Sequence, residues 1–310
     1  MKHCVVLLLC LAFIACSRPD GTASNAATAR ASDTRVTQLK KDRTALVRFS
    51  QPMVVREGDW LESQPEDGET FEQYVESKPT LPTSDRRKIY IQPIGDFSAE
   101  QMRVIELTAE YMRAFFDLPV VLSPNRELQK VAKEFERIQY PKNRQILASY
   151  FVDQLLPTLL PADAAALVCL TSFDLYPGDT WNYIFGQASL EKRVGVWSLW
   201  RLEKKDDGKR APKELFLDRT LKVAMHETGH MFSMRHCTKY ECLMSGTNHL
   251  GETDRRPLDT CPECTMKIAW AMKYSPEDRY KAIAEFWRKQ GRPAEEKRSR
   301  EKMEAVKSAP

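Results

Sequence analysis

The chain has 310 residues, of which 42% are hydrophobic and 29% are charged, and its formal net charge is +4. This length suits one catalytic domain with extensions or two small domains, and the apolar content excludes a chain that is disordered throughout. The net charge is too small to indicate a nucleic-acid partner, and no basic run interleaved with aromatic residues supports one. We therefore expect a folded domain, no nucleic-acid partner, and a charge that serves solubility.

The N-terminus carries an unbroken apolar run, residues 4–15, after the basic residue Lys2. About 12 apolar residues are too few to span a bilayer and are typical of a signal peptide, predicted here for residues 1–15. Phe13-Ile14-Ala15-Cys16 resembles a bacterial lipoprotein box, in which the cysteine becomes the lipidated first residue. The sequence predicts an exported lipoprotein of the bacterial cell envelope, periplasmic or at the surface, with membrane attachment through lipidated Cys16. An ordinary secreted protein or an uncleaved anchor is the alternative.

The rest of the chain divides by composition into three parts. Residues 16–45 are rich in Ala, Ser, Thr, Asp and Arg and are predicted to form a flexible tether. Residues 46–290 are predicted to form the folded domain, with an irregular lead-in over 46–85. The charged residues 291–310 are predicted to be a solvated tail. The lead-in carries an acidic patch made of Glu62, Glu66, Asp67 and Glu69.

Hydrophobic patterns predict the elements of the domain in chain order. Residues 88–95 are typical of a strand, and Ser98 with Gln101 predicts a capping box at the start of a helix. The apolar run 165–173 is typical of a central buried strand, and we expect Cys169 within it to be an inert buried thiol. The patterns also predict a strand over 120–122, a helix over 143–159, strands over 182–187 and 194–200, and helices over 222–234 and 276–289.

Three of the five histidines lie in the short segment 226–236. His226 and His230 are four residues apart, so a helix would place both imidazoles on one face, where they can bind one metal ion. Glu227 is offset from that face and can reach a metal-bound water without binding the metal itself. His236 supplies a third ligand if the chain turns back, which leaves the fourth position of a zinc ion open for water. The pattern predicts a catalytic zinc held by these three histidines, with Glu227 as general base.

Four of the cysteines form two closely spaced pairs, Cys237 with Cys242 and Cys261 with Cys264. Four thiolates at such spacings suit a tetrahedral structural zinc. An exported protein could instead oxidise the same thiols to disulfides. The spacing alone leaves both arrangements open, but either one would restrain the loop that carries His236.

These residues together resemble the signature of the archaemetzincin family. The resemblance is carried by His226-Glu227-x-x-His230, His236-Cys237, Cys242-x-Met244 and Cys261-x-x-Cys264, and by the segments 89–95, 174–177, 182–188 and 194–198. It extends from about Gly58 to about Lys273. The resemblance implies a metzincin-like fold of the α+β or α/β class, with a twisted mixed β-sheet, an active-site helix and a Cys-rich C-terminal subdomain.

The resemblance also implies functions for particular residues. It implies two zinc ions, a catalytic one held by three histidines and a structural one held by the four cysteines. It implies that Met244 is the Met-turn residue, which forms an apolar floor beneath the catalytic metal. The strand at 182–188 is implied to border the cleft, where an extended substrate could add to its edge.

One position, Ser233, departs from the family pattern, which usually has glycine three residues after the second histidine. Glycine suits the chain reversal there because it adopts positive φ freely. A non-glycine residue in that conformation costs about 1–2 kcal/mol. We therefore expect either backbone strain at Ser233 or a different end to the helix.

The predicted reaction is zinc-dependent hydrolysis of peptide bonds, with a peptide or protein as substrate. A non-catalytic zinc-binding envelope lipoprotein is one alternative, although Glu227 argues against it because a binding site needs no base. An aminopeptidase is another, but the sequence identifies no acidic anchor for a free amine. No Tyr follows Met244 at short range, His249 is predicted to be a surface loop residue, and the sequence does not specify an oligomeric state.

Overall fold

A computed structural model of the chain describes residues 21–128, 130–139, 143–179, 182–205 and 208–309. The described chain divides after Gln38 into two units, and Leu39–Pro310 contains both sheets and the candidate site. The predicted signal peptide and the predicted lipidation site, Cys16, lie outside the described residues. Within the described ranges, no helix has the length and apolar character needed to cross a membrane.

Among the described residues, three α-helices precede the first strand, two lie among the strands, and five follow the last strand. The helices are α1 (Gly21–Leu46), α2 (Trp60–Ser63), α3 (Phe71–Glu76), α4 (Ala99–Phe116), α5 (Leu156–Leu159), α6 (Lys213–Met231), α7 (Leu250–Arg255), α8 (Pro262–Met272), α9 (Pro276–Lys289) and α10 (Pro293–Lys307). The strands are β1 (Lys88–Ile94), β2 (Val120–Leu122), β3 (Glu136–Gln139), β4 (Asn143–Leu147), β5 (Ala164–Thr171), β6 (Asp174–Tyr176), β7 (Gly186–Ala188) and β8 (Val194–Ser198). A π-helical turn, Tyr150–Leu155, precedes α5.

The main sheet has five strands in the order β2-β1-β5-β8-β7. All neighbours are parallel except β7, which pairs antiparallel with β8 at one edge. Every residue of the central strand β5 is buried, as expected for a strand covered on both faces. The predicted mixed sheet with helices is confirmed. Cys169 is fully buried in β5, as predicted, and this burial raises the pKa of its thiol.

The prediction of one helix over residues 143–159 is wrong in its first part. Residues Asn143–Leu147 form β4, which pairs antiparallel with β3 and parallel with β6 in a second, three-stranded sheet. Ile146 is buried as its spacing suggested, but on a strand. The buried side-chain amide of Gln145 on β4 donates to the carboxylate of Asp174 on β6 at 2.8 Å. This contact between two strands outweighs the helical spacing of the apolar residues in the sequence. The helical turns begin only after this strand.

The remaining predicted helices and strands are present in the structure, and most of them differ from the predictions in the residues at which they begin or end. The strands predicted at 88–95, 120–122, 165–173 and 194–200 and the helix at 276–289 are present, and Ser98 and Gln101 form the predicted capping box. The strand predicted at 182–187 is shorter, since only Gly186–Ala188 pair as β7. Helix α6 begins at Lys213, nine residues before the predicted start at 222, and packs against α4, β7 and β8.

Both ends of the described chain differ from the predicted tether and tail. Helix α1 covers most of residues 16–45, and within the second unit Leu39 and Leu46 are buried. Helix α10 occupies the predicted tail and packs on α9, with Ala305 and Val306 buried. In both segments a few apolar positions at helical spacing suffice for packing, although charged residues dominate the composition.

Candidate active site

Helix α6 carries His226, Glu227 and His230 in its last turns. The two imidazoles lie on one face, with ring centroids 4.6 Å apart and their Nε2 atoms 3.0 Å apart. The Nδ1 atom of His226 lies 2.9 Å from the carbonyl oxygen of Leu243, and that of His230 lies 2.7 Å from the carbonyl oxygen of Met234. A carbonyl only accepts, so each Nδ1 is the protonated nitrogen and donates.

The two facing Nε2 atoms therefore both present lone pairs. Lone pairs 3.0 Å apart repel unless a cation lies between them. Four-coordinate zinc, with Zn–N distances of about 2.0–2.1 Å, places neighbouring ligand nitrogens about 3.4 Å apart. Burial also lowers the pKa of His230 to about 4 and that of His226 well below its usual value, so both rings are neutral at physiological pH. Neutral imidazoles with free Nε2 atoms fit a zinc ion.

His236 completes the cluster after the chain reverses beyond Met231. Its ring centroid lies 5.2 Å from that of His226 and 5.0 Å from that of His230, and the three rings can offer ligand atoms within 4.8 Å of one another. Its Nδ1 lies 2.9 Å from both carboxylate oxygens of Glu66. Burial opposes ionisation of Glu66, but hydrogen bonds with His236 and Trp60 and the nearby imidazoles outweigh it, so the pKa of Glu66 is lowered.

Ser233 adopts the left-handed conformation expected of the usual glycine, with φ of 62°. Its N–H donates to the carbonyl of His230 at 2.8 Å, so the chain reverses at this residue. The side chain makes two further bonds. The hydroxyl accepts from the N–H of Thr80 at 3.0 Å and donates to the carbonyl of Leu190 at 3.2 Å. These bonds offset the conformational cost.

Substitution of Ser233 tests this balance between strain and hydrogen bonding. Ser233→Ala keeps the positive φ and loses both hydroxyl bonds, so we expect the free energy of unfolding to fall by about 1–3 kcal/mol. Ser233→Gly loses the same bonds but relieves the strain, and should be about 1 kcal/mol more stable than the alanine variant. Urea unfolding of the three proteins measures both differences. An alanine variant as stable as the glycine variant would show that the residue is unstrained.

Glu227 lies between the histidine cluster and the edge of the main sheet. A Cβ placed on Gly186 would lie 3.0 Å from the Oε1 of Glu227 and 2.9 Å from the Cβ of Trp197. Strand β7 thus approaches the carboxylate so closely that only glycine fits at this position. Burial raises the pKa of Glu227 to about 8. A cation held by the neighbouring imidazoles favours the ionised form and lowers that pKa again.

Met244 is fully buried beneath α6. A Cβ on Gly229 would be 2.6 Å from the Met244 sulfur, so the side chain packs directly against the helix between its two histidines. Its backbone carbonyl accepts from Cys237 at 2.8 Å. Met244 therefore lies against the turn of α6 that carries His226 and His230.

The four cysteines Cys237, Cys242, Cys261 and Cys264 converge in a buried cluster, with all four sulfurs within 4.8 Å of one another. The sulfurs of Cys237 and Cys261 are 3.6 Å apart. Zinc–sulfur distances of about 2.3 Å place the sulfurs of a tetrahedral site about 3.8 Å apart, whereas a disulfide needs about 2.05 Å. Hydrogen bonds with the other three side chains lower the pKa of Cys237. The donor set and its spacing fit a zinc ion.

The loop 237–244 joins the cysteine cluster to the histidine cluster. The sulfur of Cys242 accepts from the N–H of Met244 at 3.4 Å and from the N–H of Cys261 at 3.2 Å. Leu243, between Cys242 and Met244, supplies the carbonyl that orients His226. The same short loop therefore carries a member of the cysteine cluster and a partner of the histidine cluster.

A cavity of about 460 Å³ opens beside the histidines and Glu227. The segment 182–186, which ends on β7, forms one wall, and residues from the loop 243–248 form another. Asp174 holds Arg201 at 2.8 Å, and Arg201 in turn stacks on Tyr183 at 3.6 Å from the ring centroid. The second sheet therefore supports the wall of the cleft.

No sequence pattern predicts a part in the site for Trp60 or Glu66, and Gly186 is expected there only as a member of the strand 182–188 that the resemblance implies beside the cleft. Glu66 lies within the acidic patch of the lead-in, but nothing local distinguishes it from its acidic neighbours. His249, predicted to be a surface residue, is partly exposed and caps α7 by accepting from the N–H of Glu252 at 3.1 Å. Together with Asp59 and Glu252 it forms a third group of possible metal ligands. There the carboxylates are already paired with arginines, Asp59 with Arg255 and Glu252 with Arg256.

Comparisons with known proteins identify relatives of this chain. The model of Peptidase family M54 matches residues 157–270. Archaemetzincin-2 of Macaca fascicularis is 34% identical over 259 residues, which cover 74% of this chain and 71% of the relative. Archaemetzincin of Thermococcus kodakarensis is 36% identical over 129 residues, 42% of this chain and 69% of the relative. The crystal structure of archaemetzincin from Methanopyrus kandleri is 27% identical, with a TM-score of 0.49 over 62% of this chain and 98% of that one. The chain belongs to the archaemetzincin family of zinc metallopeptidases.

Proposed function

We propose that the chain hydrolyses peptide bonds at a zinc ion held by His226, His230 and His236, with Glu227 as the general base. The observation that carries this proposal is the pair of Nε2 atoms of His226 and His230, which lie 3.0 Å apart beside the partly buried carboxylate of Glu227. Bound there, zinc would lower the pKa of a water molecule to about 7 and polarise the scissile carbonyl.

Glu227 is the residue that moves the proton in this proposal. It accepts a proton from the attacking water on its carboxylate and donates that proton to the nitrogen of the leaving amine. Its carboxylate lies beside Gly186, at the edge of the sheet, and lines the cleft.

Strand β7 is the proposed docking edge for the substrate. It pairs with β8 on one side only, and among the described residues no strand pairs with its other edge. An extended peptide could add there through backbone hydrogen bonds, which would bring its scissile bond to the histidine cluster.

We also propose a second zinc ion, held by Cys237, Cys242, Cys261 and Cys264. Its support is the convergence of four sulfurs and the N–H groups that donate to Cys242 and Cys261. Such donors stabilise thiolates, which are the form that binds zinc. Its role would be structural, since all four positions around the metal are occupied by protein.

The location of the protein is proposed from the sequence alone. The apolar run 4–15 followed by Cys16 supports export and a lipid anchor in a bacterial envelope. Labelling intact cells with a fatty-acid analogue, with Cys16→Ser as control, tests this directly. Loss of label in the variant supports the anchor, and label retained in the variant rules out Cys16.

Chelation tests the catalytic proposal. We expect 1,10-phenanthroline to abolish cleavage of a mixed peptide library, because the three-ligand site is open to solvent through its cleft. Dilution with added Zn²⁺ should restore cleavage in the wild type but not in His230→Ala. Cleavage that persists in metal-free protein would contradict the proposal. Zinc binding that depends on His230, without any cleavage by the wild type, would favour the non-catalytic alternative.

A further inference from the structure

The third zinc ligand in the proposed site, His236, has a different kind of partner from the other two. His226 and His230 donate to the backbone carbonyls of Leu243 and Met234, whereas His236 donates to the carboxylate of Glu66. A carboxylate partner fixes the orientation of an imidazole and strengthens it as a metal ligand more than a carbonyl does. Among the described residues, Glu66 is the one carboxylate that is hydrogen-bonded to any of these three rings.

Glu66 is itself held in place by a second donor, Trp60, beside His236. The indole N–H of Trp60 donates to Glu66 at 2.7 Å, and the edge of the Trp60 ring packs against His236 with centroids 5.5 Å apart. Trp60 fits closely over Gly246, where an added Cβ would lie 2.4 Å from the indole. Its backbone N–H also donates to buried Glu252 at 3.0 Å. A carboxylate restrained by such contacts can orient an imidazole, whereas a freely rotating one could not.

The need for such a support follows from the chain path. His226 and His230 lie on one rigid helix, but His236 lies on the loop that follows the strained reversal at Ser233. The N–H of Cys237, the next residue, donates to the carbonyl of Met244, which fixes the backbone there but does not orient the imidazole of His236. Glu66 supplies an anchor for that ring from a segment 170 residues earlier in the sequence.

We propose that Glu66 is a positioning residue for the catalytic zinc, acting through His236 and braced by Trp60. This inference rests on the proposed function of His236 as a zinc ligand. Glu66 does not contact substrate or metal in this role. It sets the ring orientation and the donor strength of the one ligand that the active-site helix does not carry.

The test is the zinc affinity of the full chain, measured by competition with a fluorescent chelator. Glu66→Ala is expected to weaken the histidine site by about 10–100-fold. Glu66→Gln keeps an acceptor of the same shape and should fall between the alanine variant and the wild type. The matched control is Asp67→Asn, which removes the neighbouring exposed charge and should leave the affinity within about twofold.

A second readout separates positioning from a merely structural contact. In the Co²⁺-substituted protein, the visible absorption of the histidine site should shift in Glu66→Ala and remain unchanged in Asp67→Asn. The metal-free forms of the variants and the wild type should unfold at the same urea concentration. Wild-type affinity and spectrum in Glu66→Ala would overturn the inference. If His230→Ala also kept the wild-type metal content, the proposed function itself would be wrong.

Discussion

Replacement of Glu227 by glutamine is expected to lower kcat by about 10²–10⁴-fold while the protein keeps its zinc. Glutamine has nearly the same shape but cannot accept a proton, so it removes the base and leaves the cavity filled. The three imidazoles are unaffected, and KM should change little because β7 and the cleft walls are intact. Steady-state kinetics on a cleaved peptide, with elemental analysis of the same sample, measure both quantities. A variant with full kcat would show that another group takes the proton.

The same variant carries an internal control for folding. In the metal-free protein, Glu227 has a pKa of about 8, against 4.5 for the exposed side chain. Because the pKa of Glu227 is higher in the folded protein than in the unfolded chain, the unfolded chain ionises first, and the free energy of unfolding of the wild type falls as the pH rises from about 4.5 towards 8. Glu227→Gln lacks this dependence, so its advantage over the wild type should grow with pH, to on the order of 3 kcal/mol at pH 7. Urea unfolding in chelator tests this, and an inactive variant that gains stability cannot owe its inactivity to unfolding.

The second large effect is expected for the double variant Cys261→Ala/Cys264→Ala. Structural zinc sites contribute on the order of 10–16 kcal/mol in zinc-finger peptides, as much as the whole stability of a domain. We therefore expect the loss of one zinc, a strong fall in the unfolding temperature, and loss of cleavage. Cleavage is lost because the loop of Cys242 supplies the Leu243 carbonyl that orients His226. Zinc content and thermal unfolding measure the outcome.

Cys169→Ala is the matched control for the cysteine cluster. Its thiol is buried in β5 and belongs to neither cluster, so both zinc ions should remain, with a modest loss of stability. The oxidised alternative gives the opposite pattern. If the four cysteines form disulfides, reduction should destabilise the wild type, and the double variant should contain as much zinc as the wild type does.

The parts of the site that could be predicted from the sequence are those set by short spacings. His226 and His230 lie one helical turn apart, and a helix leaves their relative position little freedom. His236 and Met244 follow within a loop tied down at Cys237 and Cys242, so their convergence also depends on nearby residues. The central strand β5 was recognisable because its burial on both faces demands an unbroken apolar run.

The parts that could not be predicted depend on contacts between distant segments. Glu66 reaches His236 across 170 residues, and nothing in an acidic, irregular segment indicates which carboxylate will do so. Strands β3 and β4 are polar enough to lack a clear alternation, and the pairing of β4 with β6 brings Gln145 to Asp174 only in the folded protein. Helix α10 buries Ala305 and Val306 among many charges, so its composition alone suggested a solvated tail.

The most direct test of the central claim is the zinc content of the intact wild-type chain beside that of His230→Ala, with peptide cleavage measured on the same preparations. We expect two zinc ions per wild-type chain, one zinc ion per chain of His230→Ala, and cleavage by the wild type alone. A variant that keeps the wild-type zinc content, or that cleaves peptides at the wild-type rate, would contradict the assignment of the histidine cluster as the catalytic centre.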